Sequence, residues 1–310
     1  MNDGPIGVLL LAYGSPQSPD DIETYYTDIR RGRPPTPEQV AELRDRYRRI
    51  GGVSPLSRIT ADQATALRDK LGPGFRVYVG MKHWNPRIPD TVARMADDGI
   101  RRAVCLALAP HYSRLSIGDY HARVRDAAAR LDVPIELHEV ESWHLSPLFI
   151  EAVVRRVDDA LARFPTGARD TVSVLFTAHS LPSRIVDEGD PYPAQLTATG
   201  ATVAARLGLG TWSIAWQSAG RTPEPWLGPD VKAAMADQAA RGARAFLVCP
   251  IGFVTDHLEV LYDLDIECRA HARALGVLFE RTASPNADAD FIAALAEVVR
   301  ARLASAVTRT

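Results

Sequence analysis

Cysteine is scarce in this chain, with three in 310 residues. Cys105, Cys249 and Cys268 lie far apart and show no CxxC spacing, which argues against a disulfide framework or a cysteine-ligated cluster and for a reducing cytoplasm. Long apolar runs are lacking too. No stretch approaches the roughly 20 residues that a bilayer span needs. Asn2 to Gly7 holds no basic region and the apolar run after it is short, so no signal peptide is expected. Charge is nearly balanced, and a net −2 gives no general attraction to nucleic acid or anionic membrane. Gly14, Gly51, Gly52 and Gly80 form no GxGxxG or P-loop pattern, which argues against a nucleotide site. What is present, 46% apolar and 24% charged residues, is the composition of a soluble globular protein. The length suits one large domain or two of ordinary size.

Apolar runs of strand length alternate with amphipathic helices, the pattern of an open parallel sheet. Strands are expected near 6–13, 75–81, 103–109 and 134–139, then near 172–178, 212–217, 245–251 and 277–280. Longer helices are expected at 147–163 and 288–304. The segment 162–170 reads as the crossing between halves, giving domains at 1–165 and 166–310. The halves echo each other: LLLAYGSP (9–16) with VLFTAHSLP (174–182), NPRIPDTV (85–92) with EPWLGPDV (224–231), and RRAVCLALAP (101–110) with ARAFLVCP (243–250). Ala12 aligns with Ala178 at an offset of 166, while Pro89 with Pro229 and Pro110 with Pro250 give 140, so 26 extra residues fall in the first half. Two such α/β units facing each other would make a cleft, lined by the loops after strand C-termini. Tyr13, His179 and the stretch 252–267 all sit at such ends.

That last stretch, GFVTDHLEVLYDLDIE, follows an apolar strand and continues as an acidic helix. Glu259, Asp263 and Glu267 are spaced i, i+4, i+8, within an arc of about 80° on an α-helix. A row of hard oxygen donors suits a divalent cation, which would relieve the like-charge repulsion. Two plainer readings compete: an Asp256–Glu259 capping box, or a solvated face opposite a buried stripe of Leu258, Leu261, Cys268, Ala272 and Leu275. His257 and His271 lie on this helix but off the carboxylate face. His179, at a strand end, can take a proton or bind a metal, although a lone histidine is more often structural. AHSLP lacks the nucleophile elbow of a serine hydrolase. Within the insertion at 17–58, Arg30, Arg31, Arg33, Arg44, Arg46, Arg48 and Arg49 lie beside Tyr25, Tyr26 and Tyr47. This suits a flat aromatic ligand bearing carboxylates, or else a solvated basic helix with i, i+4 pairs such as Glu42–Arg46.

Taken together, AYGSP (12–16), DIRRGRPP (28–35), RYRRIGGVSPL (46–56), LAPHYS (108–113), AHSLP (178–182), GDPYPAQL (189–196), WQSAGRTPEPWLGPDV (216–231) and PIGFVTDHLEVLYDLDIEC (250–268) resemble the ferrochelatase family over nearly the full length. The likeness is to its short soluble bacterial form, the coproporphyrin ferrochelatases. The resemblance implies two similar Rossmann-like domains with a porphyrin cleft between them, and insertion of ferrous iron with release of two protons. It implies His179 and Glu259 as the pair at the metal centre, Asp263 and Glu267 as the acidic row that holds or relays a cation, and Tyr13 on the opposite porphyrin face. It implies Arg30, Arg46, Tyr47, Ser54 and Tyr120 as contacts to the macrocycle or its propionates. ARLASAVTRT (301–310) lacks the cysteine group of cluster-bearing members, and neither the apolar lip nor the C-terminal extension of membrane-bound members is visible. No cofactor is therefore expected; iron is a substrate, and a further divalent cation could sit at the acidic row. A cytoplasmic monomer is expected, with transient contact to neighbouring haem-pathway enzymes. Neutral His179, with Glu259, would accept pyrrole protons near pH 7. The competing functions are a protoporphyrin IX ferrochelatase, a cobalt chelatase for a more acidic tetrapyrrole, and a non-catalytic porphyrin carrier.

Overall fold

A computed structural model describes residues 4–307. They form two compact units. Unit 1 takes residues up to Trp143, Thr255–His257 and the chain from Asn286 on. Unit 2 takes His144–Val254 and Leu258–Pro285.

Unit 1 runs β1 (Ile6–Ala12), α1 (Ile22–Ile29), α2 (Pro37–Arg49), α3 (Leu56–Leu71), β2 (Phe75–Met81), α4 (Ile88–Asp97), β3 (Arg102–Ala107), α5 (Asp119–Ala128) and β4 (Glu136–Val140). Unit 2 runs α6 (Pro147–Leu161), β5 (Ser173–His179), α7 (Arg184–Asp187), α8 (Tyr192–Leu207), β6 (Trp212–Gln217), α9 (Val231–Ala240), β7 (Ala245–Cys249), α10 (Arg269–Leu275) and β8 (Leu278–Arg281). The last helix, α11 (Ala289–Val307), packs on α3, β3 and β4 and so returns to unit 1. α6, the helix expected at 147–163, packs on α8 and β7 and belongs to unit 2. All eight strands fall within two residues of the expected apolar runs.

Each sheet is fully parallel, in the order β2-β1-β3-β4 and β6-β5-β7-β8. Both are Rossmann-like. The first strand of each unit is central and has an apolar middle, as a strand covered on both faces requires: Val8, Leu9 and Leu10 in β1, and Val174, Leu175 and Phe176 in β5, are fully buried. Helix starts are written locally. Thr36 and Gln39 form a reciprocal capping box ahead of α2, with Pro37 in its first turn. Asp230 caps α9 by accepting from the Lys232 N–H at 2.9 Å.

The internal repeat is real, but its register differs from the sequence alignment. Ala12 pairs with Met81 and Ala178 with Trp216 across the sheets, so β1 matches β5 at an offset of 166 and β2 matches β6 at 135. The Met81 N–H donates to the Pro86 carbonyl and the Trp216 N–H to the Pro229 carbonyl, both prolines being cis. Pro86, not Pro89, is therefore the partner of Pro229, at an offset of 143. That offset persists into Ala103 and Phe246, which lie beside Gly7 and Ser173. Proline-rich strings align equally well three residues apart; the backbone pairing does not. Among the described residues no helix is long and apolar enough to cross a membrane.

Candidate functional site

In unit 2, the chemistry gathers at the C-terminal ends of β5, β6 and β7. His179 is the last residue of β5, and its Nδ1 is hydrogen-bonded to the carbonyl of Ser180. That contact turns Nε2 toward Glu259, 3.4 Å from Oε1. Ring and carboxylate are each about one-third exposed (34% and 31%), so the pair is reachable from solvent. Burial by itself would depress the imidazole. The Glu259 carboxylate, the Ser180 carbonyl and Asp263 outweigh it and raise the pKa to about 9. The ring is thereby held toward the imidazolium at pH 7, in contrast to the neutral His179 expected from sequence, which leaves the facing Glu259 carboxylate as the group to accept a proton. The mount is rigid. The Tyr192 hydroxyl donates to the His179 carbonyl at 3.0 Å. Fully buried Gln217 accepts from Thr177 Oγ1 at 2.9 Å and donates to the Glu259 carbonyl at 3.2 Å, tying β5 to the acidic segment. The Trp226 ring lies 6.4 Å from His179.

Past Glu259 the helix is not α. Val260–Cys268 is a π-helix, continued as α10. Its i→i+5 bonding widens the turn, so residues four apart drift by roughly 30° in one sense instead of about 40° in the other. The carboxylate row survives either way, which is why spacing alone does not distinguish the two helices. Val260, Leu264 and Cys268 turn into the core. Asp263 is only 8% exposed, so the row is not merely a solvated face. Its carboxylate accepts a hydrogen bond from the Ser218 hydroxyl, at a serine held at φ 59°. Glu267 pairs with Lys232 Nζ at 2.7 Å on the exposed flank. The Asp256 N–H, which a capping box would give to Glu259, donates to Asn286 Oδ1, whose Nδ2 donates back to the Asp256 carboxylate. His257 precedes the helix, and His271 bonds the Lys232 carbonyl. Among the described residues no three His, Cys, Asp or Glu side chains are arranged to hold a metal ion. The structure brings His179 and Glu259 together and gives Asp263 and Glu267 separate partners.

In unit 1, Tyr13 follows β1 and is 42% exposed, an unusual place for a large aromatic. Its backbone is zipped to the loop after β2: the Lys82 N–H donates to the Ala12 carbonyl and the His83 N–H to the Tyr13 carbonyl, both at 2.9 Å. Gly14 makes this approach possible. Its φ is +88°, and a Cβ there would lie 2.9 Å from the Trp84 nitrogen. Arg30 caps the C-terminus of α1, its guanidinium 5.8 Å from the Tyr26 ring centre, and Arg30 and Arg33 each donate to the other's carbonyl. Arg46 is half-buried, whereas Tyr47, Ser54 and Tyr120 are buried. Burial raises the Tyr120 phenol, whose ring carries Lys82 Nζ 5.6 Å from its centre. An open cavity of about 810 Å³ beside Arg125, Glu139 and Arg302 contains none of these residues. Sequence reading passed over His83, Asp28, Ser218, Gln217 and Trp226. Each lies inside or beside a motif quoted above, but a serine, glutamine or tryptophan carries no chemical signature until its partner is known.

A ferrochelatase family model matches residues 5–303. A coproporphyrin III ferrochelatase from Halalkalibacterium halodurans is 45% identical over 310 residues, covering 98% of this chain and 99% of that protein. One from Bacillus subtilis is 44% identical over 309 residues, covering 98% and 99%. A ferrochelatase from Herpetosiphon aurantiacus is 47% identical over 296 residues, covering 94% and 97%. Among solved structures, SirB from Bacillus subtilis with Fe3+ superposes at a TM-score of 0.64 over 98% of both chains, at 11% identity. The SirB sirohydrochlorin chelatase of the subspecies spizizenii, in complex with cobalt, gives 0.60 over 96% and 95% of the two chains, also at 11%. That distant likeness is one of fold. Identity near 45% from end to end is more than fold, and it establishes that this chain belongs to the ferrochelatase family.

Proposed function

We propose that this protein inserts ferrous iron into coproporphyrin III in haem biosynthesis. The observation that carries the reading is the His179–Glu259 pair, mounted at the open end of a parallel sheet beside a buried carboxylate. In the reaction two pyrrole N–H bonds break and the four ring nitrogens bind the metal, so Fe2+ replaces two protons and charge is conserved. Glu259 is the first acceptor of those protons and passes them to water. His179 holds the carboxylate in place. Asp263 and Glu267 pass the incoming cation along the π-helix, since oxygen donors bind ferrous iron without retaining it as thiolates would.

Unit 1 handles the organic substrate. Arg30 and Arg46 receive propionates, with Arg31 and Arg33 close in sequence, enough cations for the four carboxylates of coproporphyrin rather than the two of protoporphyrin. Tyr13 takes an axial place on the macrocycle. Tyr47, Ser54 and Tyr120 serve that ligand from buried positions. No iron–sulfur cluster is assigned: all three cysteines are buried, and burial pushes Cys105 and Cys249 up to about 12, against the thiolate a cluster needs. A cytoplasmic monomer completes the reading.

The test is anaerobic incubation with ferrous iron and either porphyrin, without detergent, followed by absorbance. Metallation of coproporphyrin with the higher kcat/KM is expected. Binding without metallation would make the protein a carrier, and a preference for protoporphyrin would overturn the substrate assignment.

A further inference from the structure

Behind Tyr13 lies a second constellation that the metal chemistry does not use. Asp28, near the C-terminus of α1, accepts from His83 Nδ1 at 2.7 Å and from both terminal nitrogens of Arg87, at 3.1 and 2.9 Å. Burial would raise the Asp28 carboxyl, but Arg87 and His83 outweigh it and keep it ionised. His83 is buried, and its ring faces that of Tyr13 with centres 4.6 Å apart and planes at 53°. Tyr13 itself is exposed and follows β1. The His83 ring is one surface its side chain packs against, and Asp28 holds that ring through Nδ1. Arg87 in turn holds the Lys82 carbonyl at 3.0 Å, closing the loop. Unit 2 repeats the device: His83 lies two residues past Met81, Ser218 lies two past Trp216, and both bond a carboxylate.

We propose that Asp28 is a positioning residue that sets the pose of Tyr13 through His83. The inference rests on the proposed function, in which Tyr13 is an axial group of the porphyrin. It predicts that the reacting geometry depends on a carboxylate that touches neither substrate, because a small displacement of an aligned group costs rate more than binding.

Three substitutions test it: His83→Asn, Asp28→Asn and Tyr13→Phe, alone and combined. Asparagine at 83 keeps a donor toward Asp28 while removing the ring under Tyr13, so it separates the ring contact from the fold. Expected for His83→Asn and for Asp28→Asn is a fall in kcat of about tenfold with porphyrin KM changed less than about twofold. The absorbance of the bound iron porphyrin should shift as it does in Tyr13→Phe. In a Tyr13→Phe background neither change should lower kcat further, since coupled residues are non-additive. Full additivity, an unchanged spectrum, or a His83→Asn enzyme with wild-type kcat would overturn the proposal. Should Asp28→Asn fail to fold, His83→Asn alone decides it. A wild-type enzyme that inserts no iron would instead sink the proposed function.

Discussion

Glu259→Gln removes one charge and leaves the shape of the site almost unaltered. In the wild type, His179 should titrate near pH 9 rather than 6.5. At about 1.4 kcal/mol per pH unit that displacement is worth about 3 kcal/mol at face value. Both partners are about one-third exposed, so water screens the pair and roughly 1–2 kcal/mol is the stabilisation to expect. The sign is fixed. A histidine whose folded pKa is raised contributes its stability fully below 6.5 and loses it as pH rises through about 9. Denaturant melts of wild type and Glu259→Gln should differ most at pH 6 and converge by pH 10. A histidine-resolved NMR titration should show the His179 midpoint falling by at least about one pH unit in the variant, because the burial that opposes the charge remains. Iron insertion should fall by about 10² or more. A wild-type midpoint below 7, or one that Glu259→Gln leaves in place, would refute the ion-pair description and restore the neutral histidine.

The cation route and the packing behind His179 offer two further tests. Replacing Asp263 and Glu267 with Asn and Gln should raise KM for iron more than KM for porphyrin; an equally active variant would return these residues to a structural role. Gly252→Ala would place a Cβ 2.4 Å from the Ala178 Cβ and 2.9 Å from its Cα, one residue before His179. It should cost about 1–3 kcal/mol of stability, read as a lower Tm, together with reduced turnover; an unchanged melt would mean that this part of the structure gives more easily than its close packing suggests.

The strands were legible because a central parallel strand has one requirement, apolar residues on both faces, which β1 and β7 meet without interruption and β5 meets through Val174–Phe176. The His179–Glu259 pairing was legible only through family motifs: 80 residues separate the two, and no local periodicity joins them. What stayed hidden depends on partners. Periodicity could not tell the π-helix from an α-helix, since both keep i, i+4 residues together. The charge state of His179 depends on the Ser180 carbonyl beside it and on Glu259 and Asp263 from a helix some 80 residues on. Tyr47 and Tyr120 look like available aromatics in a string of letters, yet the fold buries them. Asp28 reads as one more acid before an arginine run until His83 and Arg87 arrive from the loop after β2.

The π-helix also bears on the order in which the protein assembles. Short helices hold together in water with difficulty, and the wide-turned form is rarer still in isolation. Val260–Cys268 therefore takes its shape only against a core already built from β7 and α9, where Val260, Leu264 and Cys268 find their neighbours. A chain still emerging from synthesis has the same carboxylates but not their alignment. The alignment of Glu259, Asp263 and Glu267 is thus a property of the finished unit and not of the segment that carries them.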